Sequence, residues 1–178
     1  ENDLFNSNEF ISSNKIQLDS IKMLKNFNAL DGVIYTPSVI PSSNSFEEVV
    51  LKGVTNENSF LKTEYLIDKI DDIGFNEIII SKNTSSKLNI KKYDTVMFVF
   101  YDNNLNPAIR NLKIIGYYQT GIKEFDDEII ISNINLHRNL KKIDKDNFGS
   151  YELSFTNKKN NYEKISKYIP PEYAINYN

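Results

Sequence analysis

The stretch Leu112-Lys113-Ile114-Ile115-Gly116-Tyr117-Tyr118-Gln119-Thr120-Gly121-Ile122-Lys123-Glu124-Phe125-Asp126 decides how the rest of the chain is read. Its first part belongs to an extended run, 110–119, in which Leu112, Ile114 and Gly116 alternate with Lys113, Ile115 and Tyr117. A period of two marks a strand. Gly121 closes the run, and Glu124, Asp126, Asp127 and Glu128 follow before a second strand at 128–132. Charged residues between two strands predict a solvated turn.

Further strands surround this pair. Residues 95–101 are strongly β in character and end at the turn formers Asp102-Asn103-Asn104-Leu105-Asn106-Pro107. Residues 77–80 form a short apolar strand, followed by a helix that Asn83 or Thr84 caps and that runs to Leu88. Residues 33–40 and 46–54, joined by Pro41-Ser42-Ser43-Asn44-Ser45, predict a β-hairpin, with Pro37 marking an edge position. Leu18, Ile21, Leu24 and Phe27 predict an amphipathic helix over 17–27, and Phe60, Leu61, Tyr65 and Ile67 another over 58–70. Asn133 starts a helix through Leu140; Tyr151, Leu153 and Phe155 alternate as a half-buried strand. A helix over 158–168 stops at Pro170-Pro171, and a last strand is expected at 173–177. Helix and strand at both ends flank a strand-rich middle. That order predicts an α+β chain of two lobes, a β-α-β lobe built from both termini and a mostly-β lobe inserted into it.

The 178 residues suffice for one domain or two small intertwined lobes. With 25% charged and 12% aromatic residues the chain is not a disordered one. A net charge of −3 argues against a nucleic-acid partner. Absence of cysteine excludes disulfides, thiolate catalysis and cysteine-held metals. Asn, Ile and Lys dominate the composition, a bias that follows AT-rich codons. No apolar run reaches the roughly 20 residues a membrane helix needs. Glu1 opens the sequence without Met or leader features, which points to a processed or excised segment.

Catalytic candidates are few. His137 is the sole histidine and sits in a predicted helix, where a surface or packing role explains it better than general-base chemistry. No Gly-x-Ser-x-Gly elbow accompanies the serine pairs Ser42-Ser43 and Ser85-Ser86, and the glycines are scattered singly, so no phosphate loop exists. Acidic clusters at Asp71-Asp72 and at Glu124, Asp126, Asp127 and Glu128 offer carboxylate pairs of the kind a glycosidase or a metal site uses, with a solvated turn as the simpler reading of the second. No cofactor and no metal are expected, and no enzyme.

Several blocks carry a resemblance. Val50-Leu51-Lys52-Gly53-Val54 resembles a strand of the extracytoplasmic domains of MacB/FtsX-type ABC transporter permeases. Glu77-Ile78-Ile79-Ile80-Ser81, the helix after it, and Asn89-Ile90-Lys91-Lys92-Tyr93-Asp94 are similar to the next block, with Tyr93 where the family has Gly. The stretch from Leu112 to Asp126 resembles the lipoprotein-releasing LolC/LolE-type members, and Gly149-Ser150-Tyr151-Glu152-Leu153 is loosely like the strand that returns to the first lobe. The likeness covers roughly 31–155.

The resemblance implies a periplasmic domain of an inner-membrane permease, held between transmembrane helices. Its membrane-proximal Porter-like lobe would comprise 1–36 plus 148–178, and its Sabre-like inserted lobe 37–147. It would couple helix motion to lipoprotein extraction or handover. The implied partners are an ABC ATPase subunit carrying the hydrolysis, a second permease chain, a lipoprotein cargo and its periplasmic carrier. A carrier-binding hook and basic pad would correspond to Asn104, Leu105, Pro107 and Arg110, with two further pad positions at Met97 and Ile109. Arg110 reads equally as a strand-edge cation. The alternatives are an efflux or mechanotransmission permease of the MacB/FtsX type and a free-standing secreted binding module.

Overall fold

The computed structural model describes residues 10–42, 45–101, 106–156, 162–173 and 175. A short strand, β1 (Ile11–Ser12), leads to α1 (Leu18–Lys22). The helix is shorter than its apolar spacing predicts. Asn26 takes a positive φ of 66°, a conformation Asn tolerates better than most residues, and turns the chain into β2 at Phe27. The long strand β2 (Phe27–Pro41) and β3 (Phe46–Val54) form the expected antiparallel hairpin. Pro37 stands opposite Val50 in a strand with neighbours on both sides, so the edge assignment is corrected. It sits beside the sparsest seam of the sheet, where β2 meets β5 at Val39↔Val99.

The predicted helix over 58–70 shrinks to a 3-10 turn, Ser59–Lys62. Beyond it the backbone finds better partners on a strand: Ile67 N–H donates to Tyr117 O at 2.9 Å and Gln119 N–H to Tyr65 O at 2.9 Å. β4 (Glu77–Ser81) runs straight into α2 (Lys82–Leu88). Ser81, not Asn83 or Thr84, is the N-cap, its Oγ accepting from Thr84 N–H at 2.9 Å. The antiparallel pair β5 (Thr95–Tyr101) and β6 (Pro107–Tyr118) follows, then α3 (Lys123–Glu128), β7 (Ile129–Asn133) and α4 (Ile134–Lys141). Asn133 caps α4 as its sequence position predicts. β8 (Asn147–Phe148), β9 (Ser150–Phe155) and α5 (Tyr162–Ile165) complete the elements. The expected helix over 158–168 falls partly outside the described residues; α5 and a 3-10 turn, Ser166–Tyr168, occupy its described part. Most of the strand expected at 173–177 also lies outside them, and Tyr173 stands in a bend.

The sheet is sheet-rich and mixed, and it closes on itself. From β2 the hydrogen-bonded order runs β3, β7, β4, β6, β5 and back to β2, with β3–β7 and β4–β6 parallel and the others antiparallel. β9 lies outside this ring and pairs only with the first half of β2, Phe27 to Val33, before β2 turns to β3 at Ile34. The inward faces fill the ring with Leu51, Ile78, Ile80, Phe98, Phe100, Leu112 and Ile114, and Leu136 and Leu140 of α4 pack on the same cluster. A second core lies on the outer surface, where Val54, Ile79, Ile131 and Tyr118 are covered by Leu61 and Ile73 of the segment after β3. Fully burying one aliphatic side chain is worth about 1.5–3 kcal/mol, so both cores contribute substantially.

A β-bulge links the two cores. The β4–β6 register shifts between Ile78 and Ile79, pairing Ile78 with Ile114 but Ile79 with Gly116. The simple alternation predicted for 110–119 therefore breaks: Leu112 and Ile114 enter the inner core, while Ile115 and Tyr118 join the outer one.

Tyr93, which stands where the resembled permeases carry Gly, has a φ of 76°. Its ring is 68% exposed and lies near the ammonium groups of Lys92 and Lys113, at 5.4 and 5.7 Å from its centroid. Left-handed backbone at a non-glycine residue costs roughly 1–2 kcal/mol. Tyr93→Gly is therefore expected to stabilise the chain by about 0.5–1 kcal/mol, after glycine's own entropy cost. A raised urea midpoint checks it; a lowered one shows that the exposed ring contributes more than the strain.

Candidate functional site

Four places hold the candidates for function. The first is the end of the β5–β6 hairpin. Asn104 and Leu105 lie outside the described residues. Pro107 and Arg110 open β6, opposite Tyr101 and Phe98. Strand alternation puts Pro107 and Ile109 on the outer face and Arg110 on the face of Leu112 and Ile114. Among the described hook and pad positions, Arg110 faces away from Met97 and Ile109. Its guanidinium Nη1 donates to Ile109 O at 2.9 Å.

The outer face of the same end is apolar. Met97, Tyr101 and Ile109 are 43%, 51% and 57% exposed. Val99 pairs with Ile109 on one side and Val39 on the other, and the strip continues through Pro41 to Phe46, which is 64% exposed. The sequence marked Met97 and Ile109 here; the contributions of Val39 and Phe46 come from strand pairings that sequence spacing does not reveal.

The second place surrounds His137, which is fully buried, so that packing and not a surface position accounts for it. Its Nδ1 lies 2.7 Å from Thr36 Oγ1 and its Nε2 2.7 Å from Ser132 Oγ. Burial, aided by the Lys141 charge, pushes the imidazole pKa down to about 3, so the ring is neutral at ordinary pH. Gly53 makes room for it: a Cβ at this position would stand 2.7 Å from Nε2 and closer still to Cδ2. Although Ser132 and His137 touch, neither is accessible to a substrate.

At Asp126 the structure overturns the solvated turn. The residue is 1% exposed and lies in α3. Its carboxylate accepts from Thr120 N–H at 2.9 Å, Gly121 N–H at 2.8 Å, Thr120 Oγ1 at 2.8 Å and Gln119 Nε2 at 2.5 Å. It thereby ties down the loop that enters α3, with Gly121 at a φ of 81° making the turn. Asp127 pairs with Lys123 and accepts from Asn83 Nδ2 at 2.8 Å, which holds its carboxyl below the usual range. With Asp126 committed to backbone amides, the cluster offers no acid–base pair for glycosidic chemistry. Among the described residues no group of His, Asp or Glu is arranged to hold a metal ion.

The fourth place went unread in the sequence. Lys52 is 4% exposed, and its Nζ donates to Glu152 Oε2 at 2.7 Å. Tyr35, directly opposite Lys52 in the β2–β3 ladder, donates its hydroxyl to Glu152 Oε1 at 2.5 Å. The centroids of the Tyr35, Phe60 and Phe125 rings stand 5.9, 5.7 and 5.6 Å from the ammonium. Burial, and then the charge of Glu152, raises the Tyr35 hydroxyl pKa above its ordinary value. The available signal was a lysine inside the apolar run Val50-Leu51-Lys52-Gly53-Val54.

This fold, a closed mixed ring with one strand laid against its long member, is similar to that of solved extracytoplasmic domains from ABC-type transporters. Two solved structures show this likeness. The extracellular domain of the noncanonic ABC-type transporter YknZ from Gram-positive bacteria superposes with a TM-score of 0.54 at 11% identity, over 86% of this chain and 78% of that one. The periplasmic region of MacB from Actinobacillus actinomycetemcomitans gives 0.50 at 9% identity, over 88% and 72%. At such identities the likeness establishes the fold. No protein-family model and no curated protein matches the sequence. No helix among the described residues is long and apolar enough to cross a membrane.

Proposed function

We propose that this chain is an extracytoplasmic, noncatalytic domain of an ABC transporter permease of the MacB/YknZ kind. The observation that carries this reading is the shared fold. A second observation supports it: Gln17 N–H donates to Tyr168 O at 3.2 Å, so the segments at the two ends of the fold lie side by side. Insertion between two neighbouring membrane helices requires that geometry. ATP hydrolysis belongs, on this reading, to a separate ATPase subunit, and a second permease chain faces this one. The division into a terminal lobe (1–36 plus 148–178) and an inserted lobe (37–147) is part of the proposal, supported by the change of partner along β2 between Val33 and Ile34. The genomic sequence on either side tests the reading. One hydrophobic helix upstream and three downstream are expected; their absence would sink it.

The finer reading, lipoprotein release with handover to a periplasmic carrier, rests on the block from Leu112 to Asp126. Its docking residues would be Asn104, Leu105, Pro107 and Arg110. Pull-down of a lipoprotein carrier by the chain is the test, with Arg110→Glu expected to reduce capture about tenfold, as loss of a charge contact does. Absence of capture removes this cargo and leaves the general permease reading standing.

A further inference from the structure

We infer that Lys52 and Glu152 form a releasable latch between β9 and the closed ring. Two features of the geometry carry this. Among the described residues, β9 is bonded to the sheet through β2 alone, and the Lys52–Glu152 pair is the ion pair that joins it to β3. The two partners also differ in environment. Lys52 has a side chain 5% exposed, whereas that of Glu152 is 38% exposed.

An ordinary buried ion pair does not open, because the charge left behind has neither water nor a partner. Here the ammonium keeps the faces of Tyr35, Phe60 and Phe125 after the carboxylate leaves, and these quadrupoles attract a desolvated cation. Glu152 is already part-way to solvent and rehydrates readily. The strand β9 and the first half of β2 therefore separate from each other while the ring stays folded around its inner core, which draws on no residue of 27–33 or 150–155. The latch deepens the proposed function and rests on it for its purpose: a domain that passes motion from its terminal segments to an inserted body needs a joint with two states.

Hydrogen exchange on the whole chain tests the latch. Glu152→Gln, which keeps size and hydrogen bonding, is expected to accelerate exchange about tenfold in 150–155 and 27–33, and less than about twofold in 95–101 and 107–118. Lys52→Met, which fills the same space without charge, is expected to act alike, and the double variant to add nothing further. Uniform acceleration through all strands, unchanged β9 exchange in Glu152→Gln, or additive effects in the double variant would each overturn the latch. Glu152→Gln alone decides if Lys52→Met fails to fold. Since exchange is read without membrane partners, its result is independent of whether the permease reading stands.

Discussion

His137→Ala is expected to lower the unfolding free energy by about 4 kcal/mol, and Gly53→Ala by about 3 kcal/mol. The first removes a fully buried ring and leaves the hydroxyls of Thr36 and Ser132 facing a void. The second drives a methyl group into that ring. Because both losses share one space, they are not additive. In a His137→Ala background the added methyl enters the vacated volume, so Gly53→Ala there is expected to cost under about 1 kcal/mol. Urea unfolding of the two single variants and the double one measures this. Additive losses would show that Gly53 is required for the backbone of β3 and not for the imidazole. The same position falls within the block Val50-Leu51-Lys52-Gly53-Val54, so the structure supplies a packing reason for a glycine in that strand.

Acid is expected to destabilise the chain through the same residue. The unfolded imidazole titrates near 6.5, while burial holds the folded one at about 3. Between these values the unfolded state binds more protons, so stability rises with pH. The contribution is complete above pH 6.5 and is lost as pH falls toward 3, on the order of 5 kcal/mol in all. Asp68 and Asp127, held low by Lys92 and Lys123, act in the same direction but only near and below the ordinary carboxylate range. Both are part-exposed members of surface ion pairs, which contribute little. Unfolding free energies measured from pH 7 to pH 4 should therefore fall steeply in the wild type and stay nearly flat in His137→Gln. A parallel fall in both would assign the acid sensitivity to carboxylates.

Much of the chain's local structure is legible in its residues. The hairpin of β2 and β3, the strands from Glu77 and Thr95, and the helix capped by Asn133 follow from periodicity and turn chemistry. Expectations failed where distant partners outcompeted local ones. Phe60, Leu61, Tyr65 and Ile67 have helical spacing, yet the backbone of Tyr65 and Ile67 pairs with β6. Asp126 has the composition of a turn, yet loop amides converge on its carboxylate and draw it inside. The hook and pad positions on β6 take faces set by the pleat: Pro107 and Ile109 outward, Arg110 inward.

The sequence by itself determined which segments are extended, where they turn, and that no cysteine or phosphate-loop chemistry is present. Tertiary structure alone decided that the strands close into a ring, that a bulge sends Tyr118 to a second core, and that Lys52 meets Glu152 across it. The physical reason is range. Extension and turns arise from neighbours along the chain, whereas ring closure, registry shifts and buried charges depend on residues about a hundred positions apart, such as Lys52 and Glu152, whose encounter no local pattern encodes.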